Sequence, residues 1–181
     1  AICYFLGANW YALIATLVLA FLTVVHVLYA FWLTLQNKIA RGRDAYSVNK
    51  RPKGVEWASE NMLVLGLIIL GFLALHLYNF WYKMQLTELL GKINGEEISV
   101  AGAALVQGLF QSPVYCLLYM VWLTALWFHL THGVWSALQS IGWSNDIWLP
   151  RIKVISNVVS TIVVGLFMLV PIYYLIVNFI L

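Results

Sequence analysis

Four histidines, His26, His76, His129 and His132, lie inside long apolar runs of this chain, and none falls in a connecting segment. An imidazole placed in hydrocarbon loses its hydration. A membrane helix therefore keeps one mainly where it faces a metal, a proton path or a polar partner inside a bundle. Histidine is also the commonest axial ligand for the haem iron of electron carriers. No carboxylate accompanies the histidines at mid-run, since Glu60 and Glu88 stand at run boundaries, and the sequence alone shows no buried path of acidic groups.

The elements that must position these imidazoles follow from composition. The chain has 181 residues, 63% of them hydrophobic and 9% charged, a balance that excludes an ordinary soluble domain. Crossing the hydrocarbon takes roughly 20 apolar residues, and four such runs are present. They extend from about Tyr11 to Leu35, Asn61 to Met84, Pro113 to Ser140 and Val154 to Leu181. The expected fold is all-α, a single integral membrane helical bundle over residues 1–181. Ser112 followed by Pro113 is a helix start, and Pro171 should kink the last span. Between spans two and three, Ile98 to Phe110 reads as a short helix lying on the membrane surface, weakened by Gly102 and Gly108.

Charge sets the orientation. The first connection carries Lys38, Arg41, Arg43, Lys50, Arg51 and Lys53, the second carries Glu88, Glu96 and Glu97 against Lys92, and the third carries Arg151 and Lys153. With eight of the ten basic residues in the first and third connections, those face the cytoplasm. The net charge of +3 reports topology and not a nucleic-acid partner. Trp10, Tyr11, Trp32, Trp57, Trp81, Tyr82, Trp143 and Trp148 flank the spans as an interfacial belt that meets lipid headgroups. Cys3 and Cys116 form no paired motif, and Ala1 to Asn9 reads as a connection entering a span, with no signal-peptide pattern.

Orientation gives each histidine a depth. His26 and His129 each lie about 16 residues inward from the outer end of their spans, roughly 24 Å down at 1.5 Å per residue. His76 lies only about eight residues from its outer end, roughly 12 Å down. Two imidazoles at one depth on different helices can clamp a haem iron from both faces, giving an electron carrier closed to oxygen. Ala30 and Gly133, one turn after His26 and His129, leave room for a porphyrin face. His76 lacks a partner at its own level in this chain, so either it binds no haem or its second ligand is on a helix outside this sequence. His132, at i+3 from His129, reads as a residue that hydrogen-bonds a haem propionate or a neighbouring carbonyl.

The segment Phe128-His129-Leu130-Thr131-His132-Gly133-Val134-Trp135-Ser136-Ala137-Leu138-Gln139, with Ile141-Gly142-Trp143 after it, resembles the fifth transmembrane helix of the single-chain dihaem cytochrome b subunit of succinate dehydrogenases and fumarate reductases. The segments Val25-His26-Val27-Leu28-Tyr29-Ala30 and Leu75-His76-Leu77-Tyr78-Asn79-Phe80-Trp81 resemble its second and fourth helices. That family has five spans, so the resemblance implies a further helix carrying the other distal ligand.

The resemblance implies two haems b. His26 and His129 would ligate the proximal one and His76 the distal one, with Gly133 packing on the haem. It also implies a subunit that does no dicarboxylate chemistry itself. It would carry electrons between an iron–sulfur subunit, docked with a flavoprotein on the cytoplasmic side of a bacterial inner membrane, and menaquinone. The complex could pair as a dimer. Tyr78, Asn79 and Lys83, with Tyr82, are the nearest polar candidates for the quinone, and Lys38 to Lys53 for docking the soluble subunits. Two other classes stay open: a dihaem b anchor of another respiratory dehydrogenase or hydrogenase, and a haem-free transporter using histidines as relays.

Overall fold

The computed structural model describes residues 10–42, 56–96, 98 and 100–179. Cys3, Arg43, Lys50, Arg51, Lys53 and Glu97 lie outside the described residues, as do most of the basic docking connection and the last two residues of the fourth span. Helices α1 (Trp10–Arg41), α2 (Trp57–Glu60), α3 (Met62–Ile93), α4 (Gly102–Phe110), α5 (Pro113–Ser140) and α6 (Trp148–Phe179) account for the secondary structure of the described residues. Of these, α1, α3, α5 and α6 are long and apolar enough to cross a membrane. The chain is an all-α, multi-pass membrane protein.

The chain divides into two compact units, one comprising Ala1–Gly54 with Phe80–Gly102, the other Val55–Asn79 with Ala103–Leu181. In the first unit, α1 has no buried residue and meets the distal part of α3 through polar contacts. Gln85 Nε2 donates to Thr16 Oγ1 at 3.2 Å, and Lys92 Nζ stands 5.4 Å from the centre of the Trp10 ring. Glu88 is buried, and its Oε1 accepts the backbone N–H of Val100 at 2.8 Å.

Those contacts explain a difference from the sequence expectation. The second span was expected to end near Met84, where polar residues begin, yet the helix continues to Ile93. Gln85 and Glu88 have partners within the unit, so their polarity does not stop the helix. From Leu77 to Leu86 the helix is π-helical, a wide turn that leaves no compositional trace.

In the second unit, Ala58, Leu65 and Ala125 form a small core with Ile68, Ile69 and Phe128 packed on it. Small residues there let α2, α3 and α5 approach closely, the usual source of association between helices when lipid is as apolar as the side chains. Helix α6 buries Ile152, Ser156, Ser160, Val164 and Pro171. That stripe has helical periodicity, and it is polar in its middle.

The remaining boundaries have local causes. Ser112 takes the extended N-cap conformation (φ −92°, ψ 123°) but makes no side-chain capping bond, and Pro113 begins α5 as expected. The fourth span starts earlier than the expected Val154, because Asn145 Oδ1 accepts the N–H groups of Ile147 and Trp148 at 3.0 and 2.8 Å. It runs on through Pro171, which is fully buried. The short helix α4 begins at Gly102, four residues later than the expected Ile98.

Packing in the first unit is tight at one glycine. A Cβ at Gly91 would stand 2.7 Å from Ile98 Cγ1, whereas one at Gly108, in the second unit, would meet nothing within 4 Å. Gly91→Ala should therefore destabilise the purified protein by about 1–3 kcal/mol through overpacking. Gly108→Ala should be neutral or slightly stabilising, because it removes backbone freedom from the unfolded chain without adding a contact. Thermal unfolding of the two variants in one detergent distinguishes them.

Candidate functional site

His129 projects from the middle of α5 and is half-buried in the second unit. Glycines flank its ring. A Cβ at Gly66, on α3, would come 3.9 Å from His129 Cε1, and one at Gly133, a turn on along α5, 4.0 Å from Cδ2. Both distances are ordinary contacts, so alanine would just fit while a larger side chain would fill the space beside the imidazole. Gly133 was legible from the sequence. Gly66 was not, because it becomes a neighbour of His129 only when α3 packs on α5.

His76 lies at the last α-helical turn of α3, immediately before the π-helical stretch. Its ring centroid is 5.3 Å from that of Trp122 and 6.2 Å from that of Tyr119, both on α5. Phe72 stacks on Trp122 at 6.4 Å, and Phe110 meets Tyr119 edge-on at 5.2 Å. Asn79, three residues past His76, is buried and donates from Nδ2 to Tyr119 Oη at 3.4 Å. His76 and Asn79 thus share one partner, Tyr119.

The expected quinone residues do not share an environment. Asn79 is buried, while Tyr78 and Lys83 are exposed. Tyr119 and Trp122 are the polar aromatic groups that lie next to Asn79 and His76, and neither stands out in the sequence as a site residue. Their signal was faint, since both read as ordinary apolar lining of a span.

His132 is held in a charged cluster. Its Nδ1 lies 3.3 Å from Glu56 Oε2, which also accepts the indole N–H of Trp135 at 3.3 Å, while Lys153 Nζ bonds Glu56 Oε1 at 3.2 Å. The His132 ring meets Trp135 edge-on at 4.8 Å, and Lys153 Nζ stands 4.1 Å over the Trp135 ring. Glu56 precedes α2 in extended conformation (φ −75°, ψ 142°) and spends its carboxylate on α5 and α6 instead of capping its own helix. The group that the structure shows beside His132 Nδ1 is thus a carboxylate, where a propionate or a carbonyl is the expectation from sequence for this side chain.

His26 lies in α1, in the other unit, and is exposed, as is Ala30. Among the described residues, no three or more His, Cys, Asp or Glu side chains gather as a metal cluster. Bis-imidazole ligation of haem needs only two ligands, on different helices.

Partial burial alone would raise the Glu56 carboxyl. The bonds from His132, Lys153 and Trp135 and the Lys153 charge outweigh that and hold it below its usual 4.5. A depressed carboxylate contributes stability above its unfolded-state pKa and loses it as pH falls through the lower folded value. Because the side chain is 40% exposed, the contribution is no more than about 1 kcal/mol. Glu56→Gln should therefore lower thermal stability slightly at pH 7. The gap should close as pH falls below 4.5, measured by parallel melts across pH.

Comparison of the chain with known protein families, with curated proteins and with solved structures gives no match.

Proposed function

We propose that this chain is the haem b-bearing membrane anchor of a succinate:quinone oxidoreductase, passing electrons between an iron–sulfur subunit and a membrane quinone. The observation that carries the reading is His129: an imidazole at mid-span, edged by Gly66 and Gly133, inside the segment Phe128–Trp143 that resembles the family's fifth helix. A glycine-edged imidazole suits a ligand bonded to a flat macrocycle, since any larger neighbour would compete with the porphyrin for the same space.

His129 would hold the proximal haem together with His26, whose equal count of residues from its helix start motivates the pairing. His76 would hold the distal haem, with its second ligand on a helix outside this sequence. A bound haem b supplies one-electron redox chemistry, and two axial histidines keep oxygen from the iron. The chain's own contribution is to fix each imidazole. For His76, Trp122 and Tyr119 pack against the ring and limit its rotation. For the helix that carries His129, Glu56 ties α5 to α6 one turn away, through His132 and Lys153.

Menaquinone would react on the His76 side, where Asn79 and Tyr119 are the polar pair. Tyr78 and Lys83 then serve the membrane interface, the ordinary role of exposed Tyr and Lys at a span end. The flavoprotein and iron–sulfur subunits would dock at the cytoplasmic ends of the helices in a bacterial inner membrane.

A reduced-minus-oxidised absorption spectrum of the purified complex should show a b-type α-band, and its absence would sink the haem reading. In the same preparation His129→Ala should lose one haem, about half the pyridine-haemochrome signal expected from two. His132→Ala should keep both haems, because that ring is held by Glu56. Full haem in both variants would move the ligand elsewhere.

A further inference from the structure

Helix α6 buries two serines that differ from six hydroxyls of the long helices. Thr16, Thr23, Thr34, Thr124, Thr131 and Ser140 each return the hydroxyl to a carbonyl about one turn back, at 2.8–2.9 Å. That is the ordinary solution for a hydroxyl in an apolar helix. Ser156 and Ser160 are 1% and 2% exposed, and neither Oγ has a protein partner. A buried hydroxyl without a partner is costly, and water is the usual group that satisfies it.

Position connects these serines to the charged cluster. Lys153, Ser156 and Ser160 are spaced three and four residues apart, so they share one face of α6. Helices α5 and α6 run antiparallel in a register set by Lys153 over Trp135 at one level and by the Trp127 Nε1 bond to Thr161 Oγ1, 2.9 Å, at another. In that register Ser156 falls opposite His132 and Ser160 opposite Phe128, so the two hydroxyls bracket the level of His129. Four residues of helix separate the serines by about 6 Å along the axis. That is too far for a direct hydrogen bond and suits a single water bridging both.

We propose that Ser156 and Ser160 form a water-binding site in the seam between α5 and α6, and that this water links the Glu56–Lys153 cluster to the level of His129 as a path for protons. Each hydroxyl offers one donor and two acceptors, enough to hold the water and to pass a hydrogen along the chain of bonds. Glu56 is the proton acceptor at the open end, where it is 40% exposed, and His132 and Lys153 are the other titratable groups that face it. Simple small-residue packing would leave both buried hydroxyls unsatisfied, a cost that a bound water removes. The site goes beyond the haem reading and does not depend on it.

The test is hydrogen exchange at a thiol, read in the infrared S–H stretch of the full chain in lipid nanodiscs. Ser156→Cys and Ser160→Cys are near-isosteric, and each places an S–H oscillator at the site. Native Cys116, fully buried in the same unit with Sγ donating to Phe110 O at 3.3 Å, is the dry reference, in a Cys3→Ser background. On transfer to heavy water both introduced thiols should lose their S–H band while Cys116 keeps its own. Exchange no faster than at Cys116 would overturn the site. Adding Glu56→Gln with Lys153→Met should slow the exchange, and an unchanged rate would overturn the link to the cluster.

Where a cysteine variant does not fold, a high-resolution map of the unaltered protein decides. Water density within hydrogen-bond reach of both Oγ atoms supports the site, and hydroxyls turned back to the carbonyls of Ile152 and Ser156 in a dry seam overturn it. The outcome reads the same with or without haem, so a failed haem assignment would register separately, in the absorption spectrum.

Discussion

A polar side chain on a helix that crosses hydrocarbon has to find its partner inside the protein, because the bilayer core offers none. Several inter-helix hydrogen bonds of the second unit follow from that constraint. Trp127 gives its indole hydrogen to Thr161, Asn79 gives an amide hydrogen to Tyr119, and Asn178 gives one to the carbonyl of Phe110. These bonds join different elements, so satisfying polarity also fixes helix register. Apolar contacts supply the close approach, through Ala58, Leu65 and Ala125. They cannot select a register as sharply, since a slide along a lipid-like surface changes little.

Glu56 shows the constraint at its strongest. It stands outside every apolar run, yet its two oxygens take bonds from His132 and Trp135 on α5 and from Lys153 on α6. One carboxylate thus fastens three segments at the same end of the unit. Its partial exposure keeps the electrostatic gain modest, and the positional effect is the larger one. With α5 held through His132, the imidazole of His129 three residues earlier is held in rotation about the helix axis as well.

The long apolar runs and the histidines within them were legible in the sequence because hydropathy is summed over some twenty residues and is insensitive to detail. Helix ends were less so. Gln85 and Glu88 look like the close of a span, and only their bonds to Thr16 and Val100 show why the helix continues past them. The π-helical turns from Leu77 to Leu86 were not legible, since no residue preference marks them. Glu56 was invisible as a site residue for a different reason: it is 76 residues from His132 and 97 from Lys153, and pairings at that range depend on tertiary packing that no local pattern encodes.

The same reasoning separates the two inner histidines of the second unit. Both have aromatic or glycine neighbours on a facing helix, but the neighbours differ in kind. His76 is walled by Trp122 and Tyr119, large rings that restrict the imidazole and exclude water. His129 is edged by Gly66 and Gly133, where an added Cβ would stand only 3.9 and 4.0 Å from ring atoms. An imidazole kept only for helix packing gains little from two glycines at its edges, because a methyl or a larger group would bury more surface there. Gly66 lies on α3 and Gly133 on α5, so the space beside the His129 ring is set by two helices at once, and a side chain larger than a methyl at either place would press on the imidazole.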